Sequence, residues 1–162
     1  MQARVKKSVV GVWVLVLLAA TSAETQIKKS TNDIDLKESY LYVLNMDKIH
    51  KLQDIRNALS GLLTEPTVDA LEHDRSLTEG TFTERAKVLE LRYPQVTAII
   101  LKKGMLTREY LVATHVLVQT LLQVASKERW QPSQAVNPAN VALFEQHQNE
   151  IRKSLLGLRI KM

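Results

Sequence analysis

Four histidines have the widest chemical range in this chain, because imidazole can ligate a metal, hold haem iron or move a proton near neutral pH. His50 projects from the polar side of a predicted helix and His73 falls in a charged stretch, so both read as solvated. His115 lies at the rim of an apolar stripe near Leu111 and Leu122, and His147 flanks a second stripe one turn beyond Phe144. A metal site in a helical bundle takes several inward ligands, for instance Glu-x-x-His on one face. Here the residues three before His115 and His147 are Val112 and Phe144. A Met/His haem site needs a methionine opposite a histidine inside the core, and Met46 points away from its own helix's stripe. These spacings predict neither a metal nor another cofactor.

Nucleophilic catalysis has as little support. There is no cysteine, which removes thiolate chemistry, disulfides, Cys-based zinc sites and thioether lipidation. No G-x-S-x-G occurs, and Ser39, Ser60, Ser126 and Ser154 read as surface or helix-end residues. Glu145 and Glu150 fall on the solvated side of their helix, so a paired-carboxylate mechanism has no cleft to work in. P-loop and G-x-G-x-x-G motifs are absent as well, and the expectation is a protein that is not an enzyme.

Tyr110 and His147 remain of interest, since each lies on or beside an apolar stripe and carries a polar atom that needs a partner when buried. With His115 and Phe144 they form the candidate pocket or interaction set, between a central and a last helix.

The elements that would position this set are helical. Gly104 follows Lys102 and Lys103, the usual way for a helix to stop, and a new helix starts at once with Thr107 as expected N-cap and Leu106 stapled to Leu111. At 100° per residue Tyr110, Leu111, Ala113, Leu117, Val118, Leu121, Leu122, Val124 and Ala125 cover about half the wheel, opposite Arg108, Gln119, Thr120, Gln123 and Lys127. So wide a stripe predicts a central helix over 107–127 that touches two or three others.

Around it, Asn45 is the expected cap of a helix running to Leu63 with Ile49, Leu52, Ile55, Leu59, Leu62 and Leu63 inward. Glu65-Pro66 breaks that helix, Thr67 to Leu71 suit a short one, and His73 to Gly80 read as a loop. Thr81-Phe82-Thr83-Glu84 matches the capping box, and Pro94 predicts a break at Tyr93 followed by a short helix to Lys103, a single kinked helix being the alternative. Trp130 to Val136 reads as a loop, with Trp130 over the end of the bundle. Asn137 then caps a last helix over 138–157, with Pro138 at its first position and Val141, Phe144, Ile151, Leu155 and Leu158 inward, before a basic tail at Arg159 and Lys161.

Ahead of these elements the chain changes character. Arg4, Lys6 and Lys7 precede an apolar run from Val9 to Ala20 and the small residues Thr21, Ser22 and Ala23, the pattern of a cleaved signal peptide over 1–23. The run is about 12 residues where a span needs about 20, so no stable membrane span is expected after cleavage. Residues 24–39 are polar and aperiodic and predict a flexible arm; residues 40–162 form a single helical-bundle domain, with Tyr40 and Tyr42 at its rim. Three of the 22 Lys and Arg and none of the 17 Asp and Glu lie in the leader, so the rest carries 19 against 17, or +2. So small a charge argues against nucleic acid as a partner. The lack of cysteine and of N-x-[ST] sequons fits an exported bacterial protein, periplasmic or secreted.

Two stretches, Gly104 to Tyr110 and Asn137 to His147, resemble segments of small exported helical proteins of bacteria that have no assigned function. The resemblance covers about the last 70 residues and implies a periplasmic helical domain. Leu44-Asn45 and Leu106-Thr107 also look like the opening of the Leu-Thr-x-x-Gln motif of periplasmic chaperones of the Spy and CpxP type. Lys48 and Tyr110 stand where the motif has Gln, Asn45 replaces Thr, and any stapled cap gives the same opening. That family would imply a concave apolar cradle.

The reading of the whole chain is an all-α, compact up-and-down bundle of four to six helices after a signal segment. Its expected role is an exported, non-catalytic binding or envelope-stress module that engages a protein partner. The alternative is a carrier of a small apolar ligand or cofactor in a pocket between the central and last helices. A partner-binding surface should leave apolar side chains exposed together, whereas a carrier should enclose a cavity.

Overall fold

The computed structural model describes residues 33–62, 65–125 and 136–155. The leader over 1–23, the first part of the polar arm, Leu63, Trp130 with its loop, and Gly157 with the basic tail lie outside the described residues.

Among the described residues there are eight α-helices and no strand, so the all-α class is as read. They are α1 (Asp33–Leu41), α2 (Met46–Leu62), α3 (Glu65–His73), α4 (Phe82–Arg92), α5 (Pro94–Lys102), α6 (Thr107–Ala125), α7 (Pro138–Gln146) and α8 (Gln148–Leu155), with a single 3-10 turn at Arg75–Leu77. Eight exceeds four to six because residues read as part of an arm form α1, and because the expected single last helix is divided at His147 into α7 and α8.

Local chemistry sets most of the boundaries. Asn45 Oδ1 accepts the Lys48 amide at 2.9 Å and starts α2, whose Ile49, Leu52, Ile55 and Leu59 are buried. Thr81 and Glu84 close a reciprocal capping box on α4, the Thr81 amide reaching Glu84 Oε2 at 2.8 Å and the Glu84 amide reaching Thr81 Oγ1 at 3.2 Å. Tyr93 leaves the helical region before Pro94, which then opens α5. At the other end of α5, Gly104 takes φ +72°, its amide bonds to Leu101 O and that of Met105 to Ile100 O. This double closure is the Schellman arrangement, and Ile100 and Met105 are buried together beside it. Asn137 Oδ1 accepts the Ala139 amide at 2.9 Å and starts α7 with Pro138 in its first turn.

α6 is the hub: it packs against α1, α2, α4, α5 and α7, and every residue from Tyr110 to Thr120 is buried. The expected outer face is therefore corrected, for Gln119 and Thr120 are inside. Thr120 satisfies its hydroxyl by donating to Val116 O at 2.7 Å, which lets a polar side chain sit in a core position. Thr107 is corrected too. The Leu106 carbonyl accepts from the Tyr110 amide at 2.8 Å, which makes Leu106 the cap, while the Thr107 hydroxyl is buried with no hydrogen-bond partner among the described residues. Leu106 is exposed, so it does not staple.

The polar arm expected over 24–39 is corrected from Asp33 onward, where the chain forms α1. Residues 73–80 contain the 3-10 turn, fixed by Asp74 Oδ1 accepting the Ser76 amide at 3.1 Å and by burial of Leu77. α3 runs past the short helix expected over 67–71.

A clamped apolar segment as candidate interaction site

Between α1 and α2 the chain leaves the helical path at Tyr42 to Asn45, and side chains from elsewhere take up its backbone groups. Asn137 Nδ2 donates to Tyr40 O at 2.9 Å. Asn140 Nδ2 donates to Tyr42 O at 2.9 Å, and Asn140 Oδ1 accepts the Leu44 amide at 2.8 Å. Lys48 Nζ donates to Val43 O at 3.0 Å and lies 4.1 Å from the centre of the Tyr42 ring. The Tyr42 hydroxyl donates to Glu109 Oε1 at 3.1 Å; burial and then the Glu109 charge push its pKa well above the usual tyrosine range.

Leu44 is buried and Tyr42 half-buried, so this segment faces the bundle on one side. On the other side Tyr40, Leu41 and Val43 are 42, 60 and 49 % exposed. Three largely apolar side chains are thus held outward on a backbone in which the carbonyls of Tyr40, Tyr42 and Val43 and the amide of Leu44 are engaged. An arrangement of this kind offers apolar contact area on a fixed backbone.

α1 meets α6 and α4 through charge. Asp35 is buried and its Oδ2 accepts the Phe82 amide at 2.8 Å, at the N-terminus of α4. Burial lifts its carboxyl above the ordinary value, the Phe82 amide working the other way. Arg85, also buried, donates Nε to Leu77 O at 2.7 Å. Burial pushes this guanidinium down to about 10, against the pull of Asp35. Both oxygens of Glu38 accept from Arg108, whose Nε donates to Thr83 Oγ1 at 2.9 Å.

Beside this network is a cleft with about 20 Å³ of room, bordered by Leu36, Ser39, His115, Val116, Gln119 and Asn137. One water fits there, whereas small-molecule sites are more than ten times larger. Val136 completes its walls, which mix apolar and polar side chains, and so small a space is no cradle for a partner chain.

Of the four residues singled out in the sequence, His115 borders this cleft and meets the Phe82 ring edge-on, centres 5.5 Å apart. Tyr110 and Phe144 belong to the packed core, and burial pushes the Tyr110 hydroxyl well above the usual range. His147 stands at the break between α7 and α8, with Nδ1 3.6 Å from Glu150 Oε2. The other oxygen of Glu150 is 3.2 Å from His50 Nε2, so two histidines read as separate share one carboxylate. Among the described residues no three such groups are placed to hold a metal ion. No described helix is long and apolar enough to cross a membrane.

Sequence reasoning missed Tyr40, Leu41 and Val43 as a displayed group, and it missed Asn140. One signal for Asn140 was available: it stands one turn before Phe144, on the core stripe of α7, where a polar side chain needs a purpose. Comparisons of the chain with protein-family models, with curated proteins and with solved structures find no match.

Proposed function

We propose that the protein is an exported, non-catalytic helical binding module of a bacterial envelope, and that it engages an apolar stretch of a partner protein through Tyr40, Leu41 and Val43. The observation that carries this reading is that these three side chains are exposed on a segment whose carbonyls are held by Asn137, Asn140 and Lys48. Apolar groups fixed in place before binding lose little conformational freedom when a partner arrives, so more of the contact energy becomes affinity. Export rests on the leader pattern over 1–23. The carrier reading has less behind it, because the cleft beside His115 has room for one water and Tyr110 and Phe144 lie in close-packed surroundings.

The test is a photo-reactive amino acid placed at Leu41 or Val43, with Ser60 on exposed α2 surface as the control position. A discrete protein adduct at 41 and 43 but not at 60, lost when the other strip residue is changed to Ser, supports the reading. The same adducts at all three positions, or none at any, would defeat it. Mass spectrometry of the mature protein tests export independently: its chain should start near Glu24.

A further inference from the structure

Over residues 35–41 the sidedness of α1 is the reverse of what a surface helix normally has. Among its described side chains the fully buried one is Asp35, at 4 %, while Tyr40 and Leu41 point out and Leu36 is half-buried. Helices that belong to a cooperative core are held by apolar burial. Residues 35–39 are instead held largely by two carboxylates, Asp35 on the Phe82 amide and Glu38 on the fork of Arg108. What lies beneath is mixed rather than purely apolar, since His115 and Gln119, one turn apart on α6, border the cleft with Val116 and with Leu36 and Ser39 of α1. Wetting such a face costs less than wetting leucines.

We propose that residues 33–39 are a detachable strap which opens up to the clamped carbonyl of Tyr40 while the remaining bundle stays folded, and that the groove it covers docks a partner helix bearing two carboxylates three positions apart. The groove matches that partner group for group. Its first carboxylate takes the free amide at the start of α4 beside the Arg85 guanidinium, its second takes Arg108, and the cleft bordered by His115 and Gln119 adjoins the helix's other side chains. Asp35 and Glu38 imitate such a helix in the closed state, so strap and partner compete for the same donors. The Tyr40 to Val43 strip stays clamped in both states, and the strap therefore goes beyond the function proposed above and can fail without it.

Hydrogen exchange of the full chain, followed by mass spectrometry, tests the opening. Amides of residues 37–39 should exchange faster than those of 112–120, and Glu38→Gln should speed the former a further two- to fivefold, about the factor a partly exposed ion pair supports, leaving the latter unchanged. If both segments exchange at one rate and Glu38→Gln accelerates them together, α1 is part of the cooperative core and the strap is refuted. A helix-stapled, fluorescent peptide of residues 33–41 tests the groove. It should bind the Glu38→Gln chain more tightly than the wild type and should not bind Glu38→Gln carrying Arg108→Ala. Equal binding to all three, or binding to none, overturns the docking site, and circular dichroism of the double variant shows whether its bundle remains folded.

Discussion

Asn140 closes on Leu44 from 96 residues away: its Oδ1 accepts the Leu44 amide at 2.8 Å, with no part of either residue in appreciable contact with solvent. The same side chain donates to Tyr42 O at 2.9 Å, so one buried amide group fixes both backbone polarities of the segment that displays Leu41 and Val43. Asn140→Ala leaves the Leu44 amide buried without its acceptor. A loss of about 1–3 kcal/mol is expected, read by urea unfolding, together with faster exchange at Leu44. A change below the scatter of the measurement, with Leu44 still protected, would mean the clamp is decorative.

The hub role of α6 makes a quantitative demand. Leu117 is buried, and Leu117→Ala should destabilise by about 2–5 kcal/mol; Leu121 is half-buried and should cost less. Losses under half of the lower bound at both sites would place neither in a core.

The two threonines read as caps should behave oppositely. Thr81 accepts the Glu84 amide, so Thr81→Ala should cost about 1 kcal/mol. Thr107 is inside α6 with a buried hydroxyl that has no hydrogen-bond partner among the described residues, and Thr107→Val exchanges that hydroxyl for a methyl group of nearly equal volume. The variant should be as stable as the parent or more so, because no hydrogen bond is given up. A loss of about 1 kcal/mol or more at Thr107 would restore it as the cap of the central helix.

Alkaline pH should act through the tyrosines. Burial raises the pKa of Tyr42, Tyr93 and Tyr110, with Glu109 adding to the first and Asp74 to the second. Because the folded value lies above the unfolded value of about 10, the folded chain holds protons that the unfolded chain releases. Their contribution to stability is complete below that pH and is lost as pH rises beyond it. Tyrosinate absorbance should therefore show delayed ionisation that coincides with loss of helical circular dichroism. If Tyr42, Tyr93 and Tyr110 titrate near pH 10 in a chain that is still helical, the burial assigned to them is incorrect.

Much of this architecture could be read from short stretches, because the interactions that set it span four residues or fewer. Asn45, Thr81, Pro94, Gly104 and Asn137 each act on amides or carbonyls of their own turn, so their residue types and positions sufficed to place five helix ends. The apolar stripe of 107–127 likewise marked the helix that the others surround, since its width exceeded what one neighbour could cover.

Only the tertiary structure decided the rest. Residues 33–39 look like part of a polar arm until Asp35 finds the Phe82 amide 47 positions away and Glu38 finds Arg108 at a separation of 70. Gln119 and Thr120 look like solvent-facing residues, His50 and His147 like unrelated ones, and Asn140 like an ordinary polar position on a helix. The free energy of burying a polar side chain depends on the partner it meets, and that partner is supplied by the folding of distant segments against one another. Apolar periodicity and helix caps are properties of adjacent residues and were fixed by the sequence alone; which polar groups are inside, and what they hold, was settled only when the helices packed.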